Sequence, residues 1–197
     1  INDTPHNQAN SETSKKISTY AVSAKGREII TSNAQLFIRD SKQNTWTTQS
    51  ISDYFLGQKI DSGDEREDHL EFPIDNFDTH TFTRSGVEMI SKKDHLFYRT
   101  APQTKTWHIA TLREYFDSCS VVNANSQNLE EQLPYSGIST HAFSFENNEI
   151  VTFKDRFWRR TTNSKEWETK KLADYFKDKA NNSTTLPYTQ WDSHMFL

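Results

Sequence analysis

The segment "THAFSFENNEIVTFKDRFWRR" at residues 140–160 determines the fold, because its pattern occurs twice more in the chain. Residues 79–99, "THTFTRSGVEMISKKDHLFYR", and residues 19–39, "TYAVSAKGREIITSNAQLFIR", show the same order of features. Each begins with a short apolar or aromatic strand, passes through a polar turn into a second strand, and ends on a third strand that carries an arginine. A pattern that recurs at a fixed period predicts a repeat architecture.

A second set of landmarks follows each of these segments. The chain reaches a tryptophan in each unit, and a Tyr-Phe pair begins eight residues later: Trp46, Trp107, Trp167, then Tyr54-Phe55, Tyr115-Phe116, Tyr175-Phe176. Ile51, Leu112 and Leu172 precede the tyrosines by three positions, which is helical spacing. Each unit is therefore predicted to contain three strands, with a fourth possible at the tryptophan, and then a short helix. We expect the tryptophans and the Tyr-Phe pairs to be buried.

The third unit resembles a hemopexin repeat. Residues 153–159, Phe-Lys-Asp-Arg-Phe-Trp-Arg, match that family's Phe-Lys-Gly-Asp-x-Tyr-Trp-Arg-like strand, and residues 172–176, Leu-Ala-Asp-Tyr-Phe, match its Asp-Asp-Phe-like helix. The units here are longer than the family's usual blade, and the cysteine pair that commonly joins its first and last blades is absent. The resemblance implies an all-β fold with short helices, as a hemopexin-like β-propeller or a related repeat architecture.

The domain organisation follows from the repeat. We expect residues 1–16 to be a flexible N-terminal tail and residues 17–197 to be a single repeat domain. Its units are predicted at about 17–58, 72–119 and 133–180, with a partial fourth unit at 186–197. The polar segments 57–71 and 120–132 are predicted to be loops. The acidic residues from Asp61 to Glu71 are interpreted as solvated linker, with a calcium site as the alternative.

The composition excludes several classes of function. A net charge of −4 gives no general attraction to nucleic acid or to an anionic membrane, and no apolar run approaches the ~20 residues of a membrane span. Cys119 is the only cysteine, so an intrachain disulfide is impossible, and we expect it to be a packing residue. No dedicated catalytic motif occurs, which predicts a protein that is not an enzyme. The first residue is Ile1 rather than Met, which favours an exported protein over other compartments.

One set of residues occupies equivalent positions in all four units: Tyr20, His80, His141 and His194. In a propeller, pseudo-symmetry brings such positions together near the central channel. Imidazole is a common ligand of transition metals and of haem iron, so these side chains are candidates for a ligand site. The preferred interpretation is structural, because repeats duplicate packing residues as readily as functional ones.

A locally basic surface in the third unit is the candidate site for a partner, and its members are Arg156, Arg160, Lys165, Lys170 and Lys171. Nucleic acid is disfavoured there because Arg39 and Arg99 recur at the position of Arg159, which indicates a structural arginine. The sequence therefore predicts a non-catalytic binding module that recognises a protein partner through the faces of the repeat scaffold. The first alternative is a small-ligand carrier that holds haem, a metal ion or a cationic metabolite in the central channel. The second alternative is a hydrolase, since a fold does not determine a function.

The partial fourth unit generates a prediction about closure of the fold. Its strand must pair with an existing edge, either inside the chain as a clasp or between chains as a homodimer, because an open apolar edge invites aggregation. We favour the clasp. Deleting residues 186–197 should then lower the melting temperature sharply and leave the assembly state unchanged in analytical ultracentrifugation. An equally stable truncated chain, or the loss of a dimer, would contradict the clasp.

Overall fold

The computed structural model describes the backbone of residues 17–40, 42, 45–61, 71–100, 104–122, 131–146 and 148–177, and the side chains of all of these except residues 176 and 177. Within these ranges the chain forms fourteen β-strands and three short helices. The expected all-β class with short helices is confirmed. The predicted tail at 1–16 and the partial unit at 186–197 lie outside the described residues.

The strands and helices follow the same order three times. The first group consists of β1 (Thr19–Val22), β2 (Glu28–Ser32), β3 (Gln35–Arg39), β4 (Thr47–Ser50) and α1 (Ile51–Phe55). The second consists of β5 (Lys59–Asp61), β6 (Thr79–Phe82), β7 (Val87–Lys92), β8 (His95–Thr100), β9 (Thr106–Thr111) and α2 (Leu112–Tyr115). The third consists of β10 (Ser120–Val122), β11 (Thr140–Phe143), β12 (Asn148–Phe153), β13 (Arg156–Thr161), β14 (Glu166–Lys171) and α3 (Leu172–Lys177).

Each group builds one sheet, and the three sheets meet along their first strands. Four consecutive strands of each group pair antiparallel with their neighbours in the sequence, as in the order β1-β2-β3-β4. Strand β6 lies against both β1 and β11, so the first strand of the second sheet stands between those of the other two. The fourth strand and the helix of each unit therefore lie at the far side of each sheet.

Two of the predicted loops contain a strand. Strand β5 runs parallel to β9, with Ile60 opposite Trp107, and β10 runs parallel to β14, with Val121 opposite Trp167. Both strands follow a helix, and each adds a fifth strand to the sheet of the next unit. A strand of three residues is too short to show a hydrophobic period in the sequence, and its position depends on the neighbouring sheet.

The register of the first hairpin is the same in every unit. Thr19 pairs with Thr31, Thr79 with Ser91, and Thr140 with Thr152. In each pair the two side-chain oxygens are hydrogen-bonded, at 2.8, 2.7 and 2.7 Å. Because the two hydroxyl groups of a pair are hydrogen-bonded to each other, both can be buried without leaving an unpaired polar group.

Side-chain caps explain where the first two helices begin. The Ser50 hydroxyl accepts a hydrogen bond from the backbone N–H of Asp53 at 3.0 Å. Thr111 and Glu114 form a capping box, in which each side chain binds the backbone N–H of the other residue. The longest described helix, α3, has six residues, and no described helix is long and apolar enough to cross a membrane.

The core lies between neighbouring sheets, where a helix of one unit packs on a tryptophan of the next. Phe55 meets Trp107 edge to face with ring centroids 5.6 Å apart, and Phe116 meets Trp167 in the same way at 5.4 Å. Both tryptophans are fully buried. Aromatic pairs prefer this geometry, and each ring removes a large apolar area from water. The predicted burial of the Tyr-Phe pairs is confirmed for Tyr54, Phe55 and Phe116.

Four members of these landmark sets differ from the expectation or cannot be compared with it. Trp46 is 40% exposed, which corrects the prediction that all three tryptophans are buried. Among the described residues no aromatic ring packs on Trp46 as Phe55 packs on Trp107, and the Arg39 guanidinium lies 4.9 Å from its ring centroid. Tyr115 and Tyr175 are half-buried, and the side chain of Phe176 lies outside the described residues.

The packing of Phe116 on Trp167 generates a stability prediction. Replacing Phe116, which is 1% exposed, with Ala should lower the free energy of unfolding by about 3–5 kcal/mol, because it removes a buried ring and leaves a cavity. Leu56→Ala is the control, since Leu56 is 79% exposed and its loss should change stability by less than about 0.5 kcal/mol. Urea titration of both variants measures the difference. Equal effects in the two variants would contradict the position of the core.

Candidate functional site

A buried carboxylate lies between the first and second units. Glu88 accepts a hydrogen bond from His80 Nε2 at 2.9 Å and from Arg99 Nε at 2.9 Å, while Arg99 Nη2 lies 2.8 Å from the same carboxylate. The hydroxyl of Tyr54, on helix α1 of the preceding unit, also donates to Glu88. Three strands of one sheet and the helix of its neighbour therefore converge on a single carboxylate.

The same arrangement occurs between the second and third units. Glu149 accepts from His141 Nε2 at 2.9 Å, from Arg160 Nε at 2.7 Å and from the Tyr115 hydroxyl at 2.5 Å. The guanidinium groups of Arg99 and Arg160 stack on Trp107 and Trp167, both at 4.4 Å from the ring centroid. Since the network recurs with the same geometry at two interfaces, its first role is structural.

Strand geometry explains why these side chains meet. Glu88 is opposite Arg99, and Glu149 is opposite Arg160, so each pair stands side by side on one face of the sheet. Each histidine lies two residues before the partner of its glutamate on the first strand, and residues two apart in a strand share a face. The register also corrects the predicted equivalence of Arg159 with Arg39 and Arg99. Arg160 occupies that position, whereas Arg159 is exposed and pairs with Glu168 at 2.6 Å.

The environment sets the protonation states of these groups. Burial alone would raise the pKa of Glu88, but its hydrogen bond and charge interaction with His80, followed by the charge of Arg99, outweigh burial and hold the pKa at about 2. Burial would also raise the pKa of Glu149. Its interactions with His141 and Arg160 outweigh burial and hold the pKa of this carboxyl below the ordinary value. Burial raises the pKa of Tyr54 and of Tyr115, so both phenols remain protonated donors at neutral pH.

The first unit has a more open version of the network. Tyr20 replaces the histidine, and its hydroxyl donates to Glu28 at 3.2 Å. Arg39 Nη2 donates to both oxygens of Glu28, at 2.7 and 2.8 Å. The side chains of Arg39 and Glu28 are 34% and 21% exposed, so water reaches this ion pair.

The predicted ligand set is thus divided among separate structural networks. His80 and His141 each bind the glutamate of their own unit, Tyr20 binds Glu28, and His194 lies outside the described residues. Within the described ranges no group of three or more His, Cys, Asp or Glu side chains could hold a metal ion. The ligand site at Tyr20, His80, His141 and His194 stays a prediction, and the described members of the set each have a hydrogen-bonding role in their own unit.

The predicted basic partner surface is also divided. Arg160 belongs to the Glu149 network, where it is held between Glu149, Tyr115 and Trp167, so its guanidinium has a structural role whether or not a partner also contacts it. Arg156 pairs with Glu131 at 2.5 Å. Lys165, Lys170 and Lys171 are exposed on or beside β14 and remain available to a partner. Most of the acidic stretch from Asp61 to Glu71 lies outside the described residues.

Two adjoining cavities open where the turns after the first strands meet. The larger has a volume of about 540 Å³ and lies between the second and third units, with Tyr115, Glu149 and Arg160 in its lining. The smaller, of about 210 Å³, is formed by the turns of all three units. Both cavities share the residues Thr83, Arg84, Phe143 and Ser144. We call the surface formed by residues 22–24, 82–85 and 143–145 the turn face.

The turn face combines apolar and positively charged groups. Phe145 is 69% exposed, and Phe143 lines both cavities. Arg84 is exposed and donates to the backbone carbonyl of Phe145 at 2.9 Å, and no carboxylate of the described residues pairs with it. Thr162 lines the larger cavity with a buried hydroxyl that has no partner among the described residues. No sequence pattern marked this surface, because its residues are adjacent only after the three first strands come together.

Comparison with known proteins identifies the fold. No protein-family model matches the chain, and no curated protein matches it. Among solved structures, a hemopexin fold protein, CP4 from cow pea, superposes with a TM-score of 0.60 at 15% identity over 91% of this chain and 76% of that one. LS24, a seed albumin from Lathyrus sativus, and a plant lectin with two metal binding sites from Cicer arietinum each give a TM-score of 0.60 over 91% of this chain and 77% of theirs, at 14% and 13% identity. At these identities the likeness concerns the fold alone.

The buried carboxylate generates a prediction about pH. The folded-state pKa of Glu88, about 2, lies below its ordinary value of 4.5, so the carboxylate stabilises the fold above about pH 4.5, and that stabilisation is lost as the pH falls toward 2. Glu88→Gln should therefore cost about 3–5 kcal/mol at pH 7, since it leaves Arg99 buried without a charge partner. The difference between the free energies of unfolding of wild type and variant should begin to shrink below about pH 4.5 and be lost as the pH falls below about 2.

Glu28→Gln is the matched control for this prediction. It removes the same charge from the half-exposed ion pair of the first unit, where the cost should be at most about 1 kcal/mol. Urea unfolding at a series of pH values distinguishes the two variants. A constant difference between Glu88→Gln and wild type from pH 7 to pH 3 would contradict the role of the carboxylate.

Proposed function

We propose that this chain is a non-catalytic binding module built on a hemopexin-like β-propeller, and that it binds an acidic segment of a partner protein at the turn face. The observation that carries the proposal is Arg84, an exposed guanidinium without a described carboxylate partner at the junction of two cavities. The three first strands that lie side by side support the propeller arrangement, in which turns at one end of the blades form a common surface.

The shape and chemistry of the turn face favour a protein ligand. A cleft with exposed aromatic side chains and one arginine has the composition that is enriched at protein interfaces, where Phe, Tyr and Arg provide much of the binding energy. Arg84 would pair with a carboxylate of the partner, while Phe143 and Phe145 would cover apolar side chains beside it. Thr162 and the hydroxyls of Thr83 and Ser144 provide hydrogen-bonding groups along the same cleft.

The alternative of a small-ligand carrier has less support at this surface. Glu149 is the one carboxylate among the described residues that line the two cavities, and Arg160, His141 and Tyr115 already bind it. A cationic metabolite therefore has no free anion to bind there. His80 and His141 likewise use Nε2 to bind their glutamates.

The likeness to proteins that bind ligands is consistent with this proposal. One structural neighbour is named as a plant lectin and another as a hemopexin fold protein. The absence of a dedicated catalytic motif in the sequence supports a binding rather than an enzymatic role.

The test is a binding experiment with a charge-matched control. The chain, immobilised on a resin, would capture a partner from an extract of its source, and calorimetry would then measure the affinity of the purified pair. Arg84→Glu should weaken binding at least about tenfold and reduce its salt dependence. Lys59→Glu makes the same charge change on β5, at the far edge of the second sheet, and should leave the affinity unchanged.

Two outcomes would contradict the proposal. Equal affinities of the Arg84 and Lys59 variants would exclude the turn face as the binding surface. Stoichiometric haem binding, seen as a Soret band when haem is added to the purified chain, together with no captured protein, would favour the carrier.

A further inference from the structure

The two buried networks differ at one position, four residues after the tyrosine. In the network of Glu88 this position is Gln58, whose Oε1 accepts hydrogen bonds from Arg99 Nη1 at 2.7 Å and from Trp107 Nε1 at 2.5 Å. Gln58 thus provides the acceptor that satisfies a buried indole N–H and the outer edge of a buried guanidinium.

In the network of Glu149 the same position is Cys119. Its Sγ lies 3.7 Å from Arg160 Nη1, and no described group accepts a hydrogen bond from Trp167 Nε1. Trp167 is fully buried, and the Arg160 guanidinium stacks on it as Arg99 stacks on Trp107. Arg160 Nη1 still has acceptors, because it donates to the Ser164 carbonyl at 3.0 Å and to Cys119 Sγ. What the third unit lacks among the described residues is an acceptor for Trp167 Nε1, and an unsatisfied buried donor is costly.

We propose that Cys119 is an oxidation site, and that its sulfenic acid supplies the missing acceptor. A hydroperoxide transfers one oxygen atom to the thiol: the sulfur–oxygen bond forms as the oxygen–oxygen bond breaks, so Cys–SH and H2O2 give Cys–SOH and water. Sulfur is oxidised by two electrons, and the peroxide is reduced by two. The new oxygen occupies the place that Gln58 Oε1 takes in the second unit, and accepts from Trp167 Nε1 and Arg160 Nη1.

The geometry around Cys119 fits this product. An oxygen bonded to Sγ at a roughly tetrahedral angle, and about 2.8 Å from a guanidinium nitrogen, agrees with the separation of 3.7 Å between Sγ and Nη1. Cys119 is half-buried, so a small peroxide can reach it. It is also the only cysteine of the chain, so the sulfenic acid cannot be consumed by an intrachain disulfide.

Oxidation at this position would act on the wall of the larger cavity. Tyr115, Glu149 and Arg160 line that cavity, and Arg160 contacts Cys119. The new oxygen adds an acceptor to a guanidinium that already donates to Glu149, Tyr115 and Ser164, and so helps to hold Arg160 in its stacked position on Trp167. The inference does not depend on the proposed function, since it concerns the sulfur and its two donors alone.

The test uses the full-length chain with one equivalent of hydrogen peroxide. We expect a mass gain of one oxygen on Cys119 and labelling of the product by a dimedone-type probe. The labelling should be slower in the folded chain than in the unfolded chain. The melting temperature should rise by roughly 2–4 °C on oxidation, which is the shift expected when a domain of this size gains about one hydrogen bond. Cys119→Ser should show neither the adduct nor the shift.

Two further variants test the acceptor role without relying on a single substitution. Cys119→Gln should raise the melting temperature in the absence of peroxide, because it restores the side chain of the second unit. In the Cys119→Ser background, Gln58→Cys should transfer the peroxide-dependent rise to the second unit, where Arg99 and Trp107 are the donors.

Several results would overturn the inference. They are the absence of a sulfenic acid adduct in the wild type, a melting temperature that falls or stays constant when the adduct forms, and a folded Cys119→Gln variant with no gain in stability. A Gln58→Cys chain whose stability does not respond to peroxide would also contradict it, provided that the adduct is present.

Discussion

Burying the carboxylate of Glu88 is costly unless its oxygens accept hydrogen bonds, and the fold meets this requirement with side chains from different elements. His80 comes from the first strand of the sheet, Arg99 from the third, and Tyr54 from the helix of the preceding unit. Strand register and the position of the neighbouring helix must therefore be correct together. Phe55 follows Tyr54 directly, so the helix orientation that brings the phenol to the carboxylate also places this ring on Trp107.

A network of this kind contributes to the choice of one arrangement more than to net stability. Replacing a buried ion pair with apolar side chains is often neutral, but leaving one partner unpaired is strongly destabilising. A sheet that slipped by one residue would put Glu88 on the opposite face from Arg99 and His80. The hydroxyl pairs at the start of each first hairpin impose the same register, because they too are buried and must be satisfied by each other. Polar groups thus select the register, while the aromatic pairs between units each bury a large apolar surface.

The strands and helices of each unit could be predicted because their landmarks recur in the sequence: an aromatic pair at helical spacing and a tryptophan before it. The networks were also present as a signal, since a Tyr or His, a Glu and an Arg follow one another at intervals of eight and eleven residues in all three units. The adjacent Arg159 and Arg160 concealed that signal in the third unit. The arginines of the first two units follow a phenylalanine by two positions, and Phe157-Trp158-Arg159 repeats that triplet, so an alignment on the phenylalanine selects Arg159.

Other features depend on contacts between units and had no local pattern to reveal them. The short strand β10 exists because β14 offers it an edge, against which it pairs in parallel. The turn face arises when β1, β6 and β11 come together, so its members are far apart in the sequence.

Equivalent positions in the three units differ in how far their residue types vary, and this variation distinguishes structural positions from those available for binding. Positions that face the buried carboxylates keep nearly the same chemistry in the second and third units, because any change there leaves a buried group unsatisfied. The turns carry no such requirement, since water can satisfy their backbone, and they do differ: Ala24, Arg84 and Phe145 occupy the same place in the three units. A small residue, a cation and an aromatic ring therefore surround one opening. The surface chemistry of the turn face differs from unit to unit, although the backbone of the units repeats. The partner segment proposed for this face would bind in one orientation, because Arg84 and Phe145 attract different groups.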